Sequence, residues 1–225
     1  PDVGTWVLHT QGEAASVLAA DEAVGADGWL AREVRLFWGR TLKRLDLSAR
    51  TLVALIEPGS CYAGTLAELA LAADRTLLLD DGDTALRLTA ANDGWYPMAN
   101  GLSRLATRFW GRDDDLARAR AALGKELVAA DAAEAGLVTA TPDDLDWDDE
   151  VRLLLEERAS FSPDALTGME ANLRFPGPET LETKIFARLT AWQNWIFQRP
   201  NAVGPEGALR RYGTGARPAY DKGRV

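Results

Sequence analysis

Glu68 is the acid around which chemistry could be built in this chain. It lies in Thr51–Arg75, TLVALIEPGSCYAGTLAELALAADR, where the apolar run Leu52 to Ile56 passes through a Pro58-Gly59 break and a Gly64 turn. A helix is expected over Thr65 to Ala73, with Glu68 in its first turn. A buried strand feeding a helix N-terminus aims several unpaired N–H groups, and the positive end of the helix dipole, at one point. An oxyanion or phosphate can sit there, so the geometry suits polarising a carbonyl. Glu68 has two readings: a general base, if burial raises its pKa, or a helix N-terminal acid that only complements the dipole. Cys61, in the same loop, reads as an inert thiol before a nucleophile. His9, at a strand end, reads as a hydrogen-bonded structural histidine before a base.

Competing motifs fail residue by residue. Gly59 and Gly64 have the spacing of P-loop glycines, but Thr65 and Leu66 stand where that motif needs Lys and then Ser or Thr. No G-x-S-x-G elbow is present, and no G-x-G-x-x-G turn opens the helix, so hydrolase and dinucleotide-binding readings lack support. One His and one Cys leave too few soft ligands for zinc. The acidic stretch Asp143 to Glu150 lacks the glycine and ligand spacing of a calcium loop and reads as a solvated loop and helix start. A net charge of −9 argues against nucleic acid or an anionic membrane surface as partner. One cysteine excludes an internal disulfide framework, and no long apolar run or signal peptide is visible, so a soluble cytoplasmic protein is expected.

At 225 residues with 47% apolar content, the chain can bury a sizeable core. Strands are expected near residues 5–9, 51–56, 75–79 and 84–89. Leu30, Val34, Phe37, Trp38, Leu42 and Leu45 recur at helical steps between Gly28 and Ser48, with Arg32, Arg35, Arg40 and Lys43 on a solvated face. Ser162-Pro163 is a helix N-cap followed by proline. A last long helix after Pro178 carries Leu181, Ile185, Leu189, Trp192 and Ile196 on one face. This alternation implies an α/β fold with a parallel sheet and right-handed crossovers. Residues 1–150 are expected to form the core and 151–225 a carboxy-terminal helical region, whose apolar stripe calls for a partner chain.

Glu68-Leu69-Ala70-Leu71-Ala72-Ala73-Asp74 resembles the acid, Leu-Ala and Asp tail of the crotonase (enoyl-CoA hydratase/isomerase) superfamily motif. Gly94-Trp95-Tyr96-Pro97-Met98-Ala99-Asn100-Gly101-Leu102-Ser103-Arg104-Leu105 is similar to that superfamily's G-x-x-P-x-x-G-G-x-x-R-L segment, and Ala129 to Val138 to its A-x-x-A-x-x-x-G-L-V. Glu206 to Tyr220 looks like its closing segment. The resemblance implies a crotonase-like ββα spiral. It also implies two backbone oxyanion donors for a CoA thioester, which by position fall at Ala20 and Thr65, the former at the Ala-Asp turn of residues 15–21. Residues 13–21 read from composition alone simply begin an Ala-rich helix.

Three departures bear on function. Thr65-Leu66 replaces the glycines of the superfamily's donor loop, and Ala90 stands where hydratases carry their second glutamate. Few residues precede Ala20, so the superfamily's amino-terminal strands are expected from elsewhere, or the chain is part of something longer. More narrowly, LIEPGSCYAGTLAELALAADR, GWYPMANGLSRL and RRYGTGARP resemble the carboxy-terminal half of the benzoyl-CoA-dihydrodiol lyase family. That resemblance implies a carbon-carbon lyase that opens an epoxidised or dihydroxylated benzoyl-CoA ring with release of formate, with neither metal nor organic cofactor. The implied partners are an acyl-CoA, an amino-terminal crotonase-like half in the same or a partner chain, and further copies in an oligomer. Two other readings stay open: a degenerate crotonase fold that completes a catalytic partner, and a free-standing enoyl-CoA hydratase/isomerase.

Overall fold

The computed structural model describes residues 3–223. Its central strand is β2, Thr51–Ile56, every residue of which is buried. An apolar run without alternation suits a strand covered on both faces. β2 lies between β1, Thr5–Leu8, and β3, Arg75–Leu78, and pairs with β3 in parallel from Val53 opposite Arg75 to Ile56 opposite Leu78. Helix α3, Gly64–Ala72, makes the crossover between them. Its inward Ala67 and Ala70 are fully buried and have little bulk to hold the helix off the sheet. Asp74 closes the unit: its N–H donates to the Leu52 carbonyl, and its Oδ2 accepts the Leu52 N–H at 2.6 Å.

The fourth expected strand does not form. Between residues 84 and 89 the side chains alternate as in a strand, with Thr84, Leu86 and Leu88 buried, but only Leu86 and Arg87 make isolated bridges, to Leu127 and Ala63. Leu86 and Leu127 exchange both backbone bonds, and the Arg87 N–H goes to Tyr62, so the segment spends its hydrogen bonds on single partners rather than a ladder. The sheet therefore has three strands among the described residues.

Residues 14–25 form helix α1 (Ala14–Gly25), the outcome their alanine content favours. Helix α2 (Trp29–Asp46) follows as its periodicity predicts, and a tight turn, Ala90–Asp93, is capped by Thr89 and Asn92. Helices α4 (Arg104–Arg108), α5 (Asp113–Ala121) and α6 (Ala129–Glu134) come next. One core cluster joins Leu52, Ile56, Tyr62, Leu78, Leu86, Leu88, Leu105, Phe109 and Leu137.

The chain divides into two units. One is Val7–Leu47 with Leu52–Leu153; the other gathers the chain start to Trp6, Ser48–Thr51 and everything from Leu154 on. The second contains the latter half of α7 (Trp147–Ser160), then α8 (Pro163–Leu173), whose Ser162 side chain caps its first turn. Within it Arg158, Thr51 and Glu170 form a buried polar cluster, Arg158 Nη2 donating to Thr51 Oγ1 at 2.7 Å and Thr51 Oγ1 to Glu170 Oε1 at 3.0 Å. The long helix after Pro178 consists of α9 (Leu181–Thr183), a π-helical stretch (Lys184–Leu189) and α10 (Thr190–Ile196). At the start of α10 the Thr190 hydroxyl donates back to the Ile185 carbonyl of the π-helical stretch at 2.6 Å. No helix among the described residues is long and apolar enough to cross a membrane.

Candidate functional site

The N-terminus of α3 is where the chain concentrates its polar groups. Gly64 takes φ +44°, a left-handed conformation in which only glycine is unstrained. A Cβ there would stand 1.9 Å from Asp21 Oδ2. Glycine thus lets a carboxylate from α1 reach the first turn of α3. Asp21 Oδ2 accepts the Thr65 N–H at 2.8 Å, and Oδ1 accepts the Thr65 hydroxyl at 2.5 Å. Because Thr65 gives its proton to Asp21, the Tyr96 hydroxyl, 2.8 Å away, donates to Thr65 Oγ1. Burial pushes the Tyr96 phenol above its ordinary pKa, with Asp21 and Glu68 adding to the rise, so the phenol keeps the proton it donates. Asp21, Thr65 and Tyr96 are all buried.

This chain of bonds borders a cavity of about 310 Å³, lined otherwise by Val17, Ala20, Val24, Trp38 and Leu66 among others. Both positions implied as oxyanion donors therefore touch one cavity. Neither offers a free N–H. Ala20 lies inside α1, where its N–H belongs to the helix ladder, and Thr65 gives its N–H to Asp21. The Ala-Asp turn expected at residues 15–21 is replaced by helix, and it is the Asp rather than the Ala that faces α3.

Glu68 is absent from that cavity's lining. It is 1% exposed, and both its oxygens are engaged: Oε1 accepts from Asn92 Nδ2 and Oε2 from Arg104 Nη1, each at 2.8 Å. Arg104, itself buried, grips Asp46 with two bonds, Nε to Oδ1 at 3.1 Å and Nη2 to Oδ2 at 2.6 Å. One guanidinium thus serves two buried carboxylates. Burial pushes the Glu68 carboxyl up; Arg104 and Asn92 pull it down, and the Asp46 charge opposes them. The rise prevails because burial is the largest of these effects. Asn92 Nδ2 also donates to the Gly64 carbonyl at 2.9 Å, which ties this network to the turn.

The remaining candidates are structural. His9 Nδ1 pairs with Glu57 Oε1 at 2.9 Å on the surface. Cys61 is buried, its N–H held by the Thr10 hydroxyl at 2.9 Å. Ala90, at the position of the second hydratase acid, opens the tight turn and supplies no acid.

No protein-family model matches the chain. Among solved structures, an enoyl-CoA hydratase/isomerase from Cupriavidus metallidurans CH34 superposes with a TM-score of 0.68 at 20% identity, over 96% of this chain and 78% of that one. An enoyl-CoA hydratase from Bacillus anthracis gives 0.65 at 19% identity, over 90% and 74%. The chain has the crotonase fold. Within that fold, a curated benzoyl-CoA-dihydrodiol lyase from Aromatoleum evansii is 54% identical over 228 residues, covering all of this chain. The chain spans 41% of that lyase's length. Here the N-terminus of α3 is filled from within by Asp21.

Proposed function

We propose that the chain is a crotonase-fold part of a lyase acting on a benzoyl-CoA dihydrodiol, and that this part does not itself polarise the thioester. The 54% identity to the Aromatoleum evansii lyase supports the first clause. The Asp21 carboxylate seated on the Thr65 N–H carries the second. An enolate oxygen at that point would meet a carboxylate in place of a donor, and like charges in a buried site disfavour one another. Loss of one oxyanion donor typically costs about 3–4 kcal/mol of transition-state stabilisation, and here both positions are engaged. Glu68, locked by Arg104 and Asn92, is an anchor of the fold rather than a base. Catalysis then belongs to a second crotonase-like half, in the same or a partner chain, with the CoA thioester as substrate and no added cofactor.

A melting curve of the chain with benzoyl-CoA tests this. A ligand that binds only the folded state stabilises it by RT ln(1 + [L]/Kd), about 2.7 kcal/mol at a hundredfold excess over Kd. No shift is expected. A shift dependent on benzoyl-CoA, and lost in Thr65→Pro, which lacks the N–H, would overturn the second clause.

A further inference from the structure

The unit from Leu154 onward holds a cavity of about 550 Å³ that the proposed function leaves unused. Along α8 and its N-cap it is lined by Ser162, Ala165, Leu166 and Met169, which share one face of the helix. Seven residues at 1.5 Å each make that wall about 10 Å long. Ile196, Phe197 and Leu209 add apolar surface from beyond α8.

The charge stands at one end. Arg158, near the close of α7, is the one charged residue of the lining among the described residues, and Ser160, Phe161 and Ser162 follow it in the turn to α8. The other polar groups nearby are spent within the fold: Ser160 Oγ donates to the Glu157 carbonyl at 2.6 Å, and the Asn201 amide exchanges bonds of 2.9 and 2.8 Å with the Asp221 backbone. Arg158 is different. It is 8% exposed, and Nη2 donates to Thr51 and Glu170, but Nε meets no acceptor. Its guanidinium lies 5.8 Å from the ring centroid of Phe161. A buried donor without a partner is costly, and a charged acceptor answers it best. The acids of α8 are already paired, Glu170 with Arg158 and Asp164 with Arg199, and no carboxylate lies in the lining. The ligand that fits is therefore an anion with an apolar body. A narrow apolar wall with a cation at one end suits a chain.

We propose that this cavity binds an unbranched aliphatic carboxylate, the head group accepting from Arg158 and the chain lying along α8 toward Met169. The inference stands on this unit's own geometry and does not depend on the lyase assignment. Octanoate is the probe, with octanol as the uncharged chain and octylammonium as the cationic one. The chain has two methionines, Met169 in the lining and Met98 buried in the other unit, so their methyl resonances supply a reporter and an internal reference. Octanoate is expected to shift Met169 and not Met98, and to bind about tenfold or more tightly than octanol. From hexanoate to decanoate, each added methylene should tighten binding roughly fourfold. Arg158→Gln should level octanoate with octanol. Ala165→Phe, which fills the cavity from an exposed helix position, should abolish binding of every chain and keeps the test decisive if Arg158→Gln does not fold. Equal affinity for octanoate and octanol, preference for octylammonium, or equal shifts of both methionines would overturn the proposal. So would a Met169 that none of the three moves but that shifts when the remaining part of the lyase is added, which would make the cavity a protein contact. Octanoate has neither ring nor thioester, so this outcome and the melting-curve outcome are read separately.

Discussion

Glu68 and Gly64 show how a single position decides between chemistry and architecture. Sequence left Glu68 open between a general base and a helix N-terminal acid, and its neighbours in sequence gave no hint that Arg104 and Asn92 would hold both its oxygens. Its raised pKa makes a signed prediction. An acid protonated more readily in the fold than in the open chain binds extra protons when folded, so its contribution to stability falls as pH rises above about 4.5, the ordinary value. Glu68→Gln removes that dependence. The Tm of the variant relative to the native chain should therefore climb as pH is raised from 4.5 toward neutrality; a difference that is flat or falls would refute it. Gly64→Ala is the sharper change, because it combines left-handed strain with eviction of the Asp21 carboxylate. The sum of the two is about 2 kcal/mol or more, read from urea denaturation. A loss under about 0.5 kcal/mol would mean that Asp21 does not depend on the missing Cβ.

At the scale of elements, the strongest patterns in the sequence were also the ones realised. The unbroken run at β2, the period of α2 and the Ser162-Pro163 start of α8 each depend on local chemistry that composition alone expresses. The segment from Thr84 to Thr89 misled because alternation reports which face is buried, not whether a neighbouring backbone is available to pair; Leu86 and Leu88 are fully buried without a ladder. Residues 15–21 misled for another reason. Family position suggested a turn, whereas the run of alanines carries a helix propensity that no glycine or proline interrupts until Gly25. Helix formation engages the N–H of Ala20 in the ladder and turns Asp21 toward α3. Tyr96 and Arg104 were visible inside the proline segment, but their partners Thr65, Asp46 and Glu68 come from two other helices, α2 and α3. Contacts of that separation leave no trace in a single sequence.

At the scale of the whole molecule, the unit from Leu154 onward leaves apolar surface that its own helices do not cover. Phe186 is 76% exposed, with Leu181, Leu189, Phe197 and Leu209 also open to solvent. Single exposed apolar residues are ordinary, but several on neighbouring helices of one unit mark a surface made to be covered. The curated relative extends well beyond the matched stretch, so its remaining part is one candidate to cover it, and a further copy of the chain is another. Light scattering at micromolar concentration should give a mass above the 24.4 kDa of one chain, either alone or once the remaining part of the lyase is added. Phe186→Asp places a charge where a partner would bury a ring, and should raise the dissociation constant about tenfold or more. Because Phe186 packs little within its own chain, the substitution should leave the melting of an isolated subunit nearly unchanged, which separates lost association from lost folding. A chain that stays monomeric alone and with the remaining part of the lyase, whatever stands at position 186, would show that this apolar surface is tolerated rather than used.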